Sequence, residues 1–355
     1  MPAMARSATQ TPARITLSGA PEGFDATLVL KERAGAPVLF VARDDARLDA
    51  MATALRVTDP TVPVIAFPAW DCLPYDRVSP RPEIAAARMA TLAALAGGAA
   101  EGLVVLTTVN ALTQRLPAPG LVAGSSFRAR VGDRIDEGAL RTYLARMGFS
   151  QAPMVVEPGD FAVRGGLIDI YPPGGEGPVR LDLFGDVLDA ARRFDPETQR
   201  SLGAVDGIDL APVSEVILDE ASIRRFRQNY RIAFGAAGSD DPLYEAISAG
   251  RKHAGMEHWL SFFHDELVPL TAYLPGATVL FDDRADAVHD SRWEGIRDQY
   301  ETRRLAMGQK AQMGTVYKPA PPDALYLSPE ALEETVSGHR VVRLSVLPQP
   351  TGLGV

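Results

Sequence analysis

Cys72 is the only cysteine in 355 residues, which excludes a disulfide framework and a thiolate zinc cluster and leaves an ordinary packed thiol as the expectation. Lysine is almost as scarce. Lys31, Lys252, Lys310 and Lys318 are the only lysines among 36 basic residues, so arginine carries nearly all the positive charge. No stretch approaches the ~20 apolar residues that a membrane helix needs. The opening residues, MPAMARSATQTPARITLSGAPEG, contain no apolar h-region before Pro and Gly interrupt them. A cytosolic protein without a signal peptide or membrane partner is expected. Positive charge is not in surplus either: a net charge of −9 and an isoelectric point near 5.2 exclude a surface that serves as a whole as a nucleic-acid platform, because such platforms use clustered cations to displace counterions.

What is present is an ordinary globular composition, 46% hydrophobic and 23% charged, in a chain long enough for two or three domains. The first third reads as α/β. The apolar runs PVLFVA (37–42), VPVIAF (62–67) and GLVVLTTV (102–109) have the look of buried parallel strands separated by helices. Between the last two, Ser79 and Pro80 open a helix on which Ile84, Arg88, Leu92 and Leu95 step at helical spacing until Gly97-Gly98 ends it. From about Ser125 to Pro212, after a short helix near 137–147, strand and turn dominate. That stretch has ten arginines against fourteen acids, a balance of −4. It reads as an inserted β-rich domain. α/β character returns with ATVLF (277–281), a long polar helix over 285–307, the Pro-rich link KPAPPDALYLSP and a last apolar run over 341–346, so the second half is expected to complete the first sheet.

The segment from Glu157 to Ser201 holds the most specific pattern. Read with period two, Val179, Leu181 and Leu183 point one way, and Arg180, Asp182 and Phe184 the other. Phe184 then falls on the polar face. Upstream, Phe161 and Val163 share a side and Arg164 takes the opposite one before Gly165-Gly166 breaks or bulges the ladder. Two readings stand: a half-exposed sheet in which Arg180 or Arg164 pairs with Asp182 across strands, or a protein-binding patch of arginines beside one exposed ring. Arg200 is a further candidate at its rim.

Other chemistry finds little support. Set against the phosphate-binding loop GxxxxGK[ST], the register from Gly19 puts Phe24 in place of the second glycine, Asp25 in place of the lysine and Ala26 in place of the hydroxyl. A carboxylate there repels phosphate, and the Phe is expected to fill the loop. His253, His258 and His264 loosely suggest zinc patterns, but His253 and His258 are at i, i+5 and diverge by roughly 140° around a helix. No metal site is expected. Asp71, Asp76, Glu83 and the pair Asp282-Asp283 read as surface acids without partners. The loop from Phe67, FPAWDCLPYD, follows a strand end where open α/β sheets place ligands; packing of Trp70 and Tyr75 over the sheet edge is the simpler reading.

The pieces WDCLPYD, SPRPEI, NALTQR, VRGGLIDIYP, VRLDLFGD and FDPETQRS, in that order, resemble the amino-terminal region of the bacterial transcription-repair coupling factors over essentially the whole chain. The resemblance implies a parallel-sheet α/β domain, similar to the first domain of the excision-repair protein UvrB, with a decayed RecA-like P-loop. A smaller β-rich α+β domain is inserted into it. The expected division is 1–126 for the first half of the α/β domain, 127–212 for the inserted UvrA-binding domain and 213–355 for the second half with the start of a linker. Arg164, Arg180 and Phe184 match the family's UvrA-recruiting residues by position within VRGG and VRLDLF. The resemblance also implies a full protein that is an ATP-driven DNA translocase displacing stalled RNA polymerase. Its polymerase, DNA, ATP and Mg sites would lie in modules missing here, so no cofactor is expected in this chain, whose ending LPQPTGLGV reads as a cut near a linker. The rival expectation is an active UvrB-like ATPase and DNA-binding module, and a third is a small-molecule enzyme using the Asp71 to Asp76 loop.

Overall fold

The computed structural model describes residues 13–19, 21–33, 35–98, 100–235, 241–308 and 317–347; the readings of the leader and of the final linker fall mostly on residues outside these. The path begins β1 (Arg14–Ser18), α1 (Asp25–Glu32), β2 (Val38–Ala42), α2 (Asp45–Thr58), β3 (Val64–Phe67), α3 (Pro82–Ala96) and β4 (Val104–Thr108). Short pieces α4 (Val109–Leu112), β5 (Leu116–Pro117) and α5 (Pro119–Gly124) lead to β6 (Phe127–Arg130) and α6 (Glu137–Arg146). Seven strands follow: β7 (Ser150–Gln151), β8 (Asp160–Arg164), β9 (Leu167–Ile170), β10 (Val179–Phe184), β11 (Val187–Phe194), β12 (Ser201–Val205) and β13 (Gly207–Leu210). The return runs through α7 (Glu220–Phe234), α8 (Pro242–Ser248), α9 (Leu260–Phe263), β14 (Leu267–Val268), β15 (Thr278–Phe281), α10 (Ala285–Gly308), α11 (Pro322–Leu325), α12 (Pro329–Val336) and β16 (Arg340–Ser345).

Strands β1-β16-β15-β2-β4-β3 form one sheet, parallel at every pairing. Strands from both ends of the chain interleave in it, so the second half does complete the first sheet. Both faces are covered, as an all-parallel sheet requires. Val38, Phe40 and Leu280 pack against Val29 of α1 and Met51 and Leu55 of α2, while Leu39, Val41 and Val279 pack against Leu92 of α3 and Leu332 and Val336 of α12. Helix α3 begins at Pro82, not at Ser79. Pro82 takes the first helical turn, where its missing N–H costs nothing, and the Ser79 hydroxyl is engaged elsewhere, donating to Glu257 Oε2 at 2.6 Å and accepting from the Gly255 amide at 2.9 Å. The Pro-rich stretch from Lys318 is no loose link: it contains α11 and buries Leu325, Tyr326 and Leu327.

A second sheet, β12-β11-β10-β9-β8-β7, is antiparallel except at β7–β8. One face carries Phe161, Ile168, Ile170, Leu181 and Leu188 into a core with Leu140 and Leu144 of α6 and Ile208 and Leu210 of β13. The fold is thus an α/β domain with an inserted β-rich one. In a third core Trp70 and Tyr75 of the loop after β3 pack with Phe226 and Tyr230 of α7, Trp259 and Phe263. Among the described residues no helix is long and apolar enough to cross a membrane.

Candidate functional site

The alternation of β10 is realised side chain by side chain. Val179, Leu181 and Leu183 are buried, Arg180 and Asp182 are intermediate, and Phe184 is 82% exposed. Antiparallel pairing carries the alternation sideways. Arg164 lies opposite Leu167, which lies opposite Asp182, and Ala162, Asp169, Arg180 and Arg192 form the adjacent row. Directly paired residues share a face, so Arg164, Arg180 and Phe184 all project from the side of the sheet away from its main core. At about 4.8 Å between strands and 3.3 Å per residue, they spread over roughly 10 to 15 Å instead of touching.

Gly165, with φ +61°, and Gly166 form the β8–β9 turn, and Gly185, with φ +66°, opens the β10–β11 turn. The ladder therefore breaks at Gly165-Gly166; the irregularity lies across the sheet, where the β10–β11 register shifts between Asp182 and Leu183. Both turns sit at the Phe184 end. A Cβ on Gly166 would stand 2.8 Å from the Leu183 carbonyl oxygen, closer than packing allows, so a bare backbone is what lets the turn lie against β10. Arg200 is exposed in the β11–β12 turn, at the opposite end of β11. Eight residues of strand, about 26 Å, separate it from Phe184.

The pairing of the arginines differs from expectation. Arg180 does not reach Asp182. Its Nε and Nη2 donate to the two carboxylate oxygens of Asp169 at 2.7 and 2.8 Å, and the guanidinium lies 4.8 Å from the Phe194 ring centroid. That fork leaves its side chain 20% exposed, and the Asp169 hydrogen bond holds it above the ordinary arginine pKa. Phe194, Val155 and Ala162 make a small second core on this face, which partly covers the row that alternation alone leaves open. Arg164 donates to the Pro153 carbonyl, and Asp182 faces Arg192 at 3.8 Å. Asp169 and Phe194 were not singled out from sequence; Asp169 sits inside the apolar strand LIDI, and that oddity was its only signal.

The loop after β1 is closed by its own side chain. Asp25, at the lysine position of the P-loop register, accepts from the amides of Gly23 and Ala26 at 2.9 and 3.0 Å and pairs with buried Arg47. Arg47 Nε donates to Asp282 Oδ1 at 3.1 Å, Arg43 Nη1 lies 3.3 Å from Asp282 Oδ2, and Arg43 Nη2 donates to Glu22 at 2.7 Å. Backbone donors and a cation, the elements of an anion site, thus surround a built-in carboxylate. Phe24 does not fill the loop; it is 55% exposed, because its position just before α1 turns it outward while Asp25 turns in. Nor is Asp282 a surface acid: it is buried between Arg47 and Arg43. Asp71 likewise has a partner, Arg81 Nε at 2.5 Å.

His258 and His264 are packing groups. His258 stands edge-on to Trp70 with centroids 5.8 Å apart, and His264 Nε2 donates to the Glu215 carbonyl at 2.8 Å. Among the described residues no group of three or more His, Cys, Asp or Glu could hold a metal ion. Burial pushes the Cys72 thiol up to about 12, so it is a poor nucleophile. Burial also holds His258 and His264 down at about 4. Unfolded, each takes a proton near pH 6.5. Between those values the unfolded chain binds more protons, so their contribution is intact above about pH 6.5 and is lost as the pH falls towards 4. Glu257, whose carboxyl burial raises, works in the opposite direction and offsets part of the loss. Urea unfolding at pH 5 is expected to yield about 2 to 4 kcal/mol less stability than at pH 7; equal values would place both rings in water.

Residues 127–215 match the UvrB interaction domain family. The chain is 32% identical over 334 residues to the transcription-repair-coupling factor of Escherichia coli (strain K12), a match covering 92% of this chain and 28% of that protein. It is 35% identical over 244 residues to that of Haemophilus influenzae, covering 68% and 21%, and 30% identical over 327 residues to that of Myxococcus xanthus, covering 86% and 26%. The chain spans about a quarter of the length of these curated relatives.

Proposed function

Since this chain belongs to the transcription-repair-coupling factor family and matches its amino-terminal region, we propose that it acts in the cytoplasm as an adaptor that recruits UvrA through the inserted domain. That domain is taken as residues 127–212, between the two halves of the α/β domain. The observation that carries the reading is Phe184: a ring 82% exposed at a hairpin end, on the face shared with Arg164 and Arg180, in the segment matching the UvrB interaction domain. Solitary exposed aromatics flanked by arginine make strong anchors once a partner covers them. Arg180, held on Asp169 and Phe194, is pre-oriented, so little side-chain freedom is lost on docking. Arg200, at the far end of the sheet, is at most a separate contact.

In this reading the chain is not itself an enzyme and takes no cofactor. Its former nucleotide loop holds the Asp25 carboxylate where a phosphate would lie. ATP and Mg, RNA polymerase and translocation along DNA belong to other modules of a coupling factor, which would bring this adaptor to stalled polymerase at lesions.

The cleanest test is Phe184→Ala, because Arg180→Ala also orphans buried Asp169 and so mixes fold with binding. Titrated against purified UvrA, Phe184→Ala is expected to weaken affinity by about 30- to 1000-fold, on the order of 2 to 4 kcal/mol, with an unchanged circular dichroism spectrum. Undiminished affinity would remove Phe184 from the interface.

A further inference from the structure

We infer that helix α7 carries a contact surface for the phosphodiester backbone of duplex nucleic acid. Its fifteen residues contain one acid, Glu220, and four arginines, 224, 225, 227 and 231, a balance of +3 within a chain of net charge −9. Arg225 is held by Asp265, its Nε and Nη2 donating at 2.6 and 2.7 Å. The other three are exposed and, among the described residues, make no ion pair with a carboxylate; Arg231 leans over the Tyr244 ring at 5.7 Å. Elsewhere arginines are commonly matched: Arg128 and Arg130 share Asp209, and Arg343 has both Asp286 and Glu333.

Geometry gathers the three cations. At 100° per residue they fall within about 60° of one another on the helix, and at 1.5 Å per residue they extend over about 10 Å. The opposite face buries Phe226 and Tyr230 in the aromatic core, so the helix presents them from a fixed base. Arg224 and Gln228 also line an open polar depression of about 340 Å³ beside Asn229, His264 and Asp265, whose carboxylate is matched by Arg225. Phosphate recognition wants this arrangement: planar, always-charged forks at intervals, with neutral donors between. A protein partner would want apolar anchors at the centre, and Ile232 is the one large exposed apolar side chain on the helix. Forks that grip phosphate position a duplex without reading its base edges, so contact is expected without sequence preference.

Fluorescence anisotropy of a labelled duplex oligonucleotide, titrated with the 355-residue chain at low salt, tests the assignment. Weak binding is expected that falls about sixfold with each doubling of salt, as three phosphate contacts imply. The variant Arg224→Gln/Arg227→Gln/Arg231→Gln should abolish it while leaving the circular dichroism spectrum and UvrA affinity unchanged. Absence of salt-dependent binding by the wild-type chain, or equal binding by the variant, would overturn it. A variant that loses UvrA while keeping DNA would make the stripe a protein interface and overturn it too. Because Phe184 is untouched, failure here leaves the adaptor reading standing.

Discussion

Arg88→Ala is expected to cost about 3 to 5 kcal/mol of stability, enough to remove much of what holds a typical domain folded. Arg88 is fully buried on α3. Its Nε donates to Glu215 Oε1 at 2.9 Å, its Nη1 to the Pro68 carbonyl at 2.6 Å, and its guanidinium lies 4.3 Å from the Phe67 ring centroid. Glu215 is equally committed, accepting from Trp70 Nε1 at 2.9 Å, while its carbonyl accepts from His264 Nε2. One ion pair thus ties α3 and the loop after β3 to the segment by which the chain leaves the inserted domain. Removing either partner strands a charge where water cannot reach. Glu215→Ala should therefore cost about as much, and the double alanine variant less than the sum of the singles. Arg88→Met with Glu215→Leu, which removes both charges and keeps volume, should recover most of the loss. Urea denaturation with fitted m-values resolves these cases; singles as stable as wild type would show that water reaches the pair.

That pair also marks where sequence reading stops. Helical spacing places Arg88 on the apolar stripe with Leu92 and Leu95, an anomaly visible without coordinates, but its partner lies 127 residues away and no local pattern points to it. Period-two alternation suffices for the exposure of Phe184 and the burial of Leu181, because strand geometry fixes the face of each residue from its neighbours alone. The same rule leaves Arg180 free to pair with any acid on its face. Choosing Asp169 over Asp182 takes the β9–β10 register, and covering that row takes Phe194 from a third strand. Asp282 departs from the local pattern for a related reason: two acids after an apolar strand look solvated until α2 brings Arg47 against the first of them. Local periodicity was enough for the parallel strands, whereas charges whose partners come from distant elements were not legible.

The largest consequence of such a hidden partner is expected at Arg47. Arg47→Ala would leave Asp25 and Asp282, both buried, without their shared cation, Asp282 keeping only Arg43, at a cost of about 3 to 5 kcal/mol near neutral pH. Arg47→Met, which keeps most of the volume without the charge, should cost nearly as much, and urea denaturation compares the two variants. A Met variant as stable as wild type would mean that Arg47 acts through packing on Phe40, 5.6 Å from its guanidinium, and not through charge. The same network sets the expected response to nucleotide. A ligand that binds only the folded state raises its apparent stability, yet the Gly23 and Ala26 amides already donate to Asp25, and its carboxylate would repel an incoming phosphate. ATP with Mg is accordingly expected to leave the unfolding midpoint of the wild-type chain unmoved. A saturable rise would mean that Asp25 can swing out of the loop and leave its amides to an incoming phosphate.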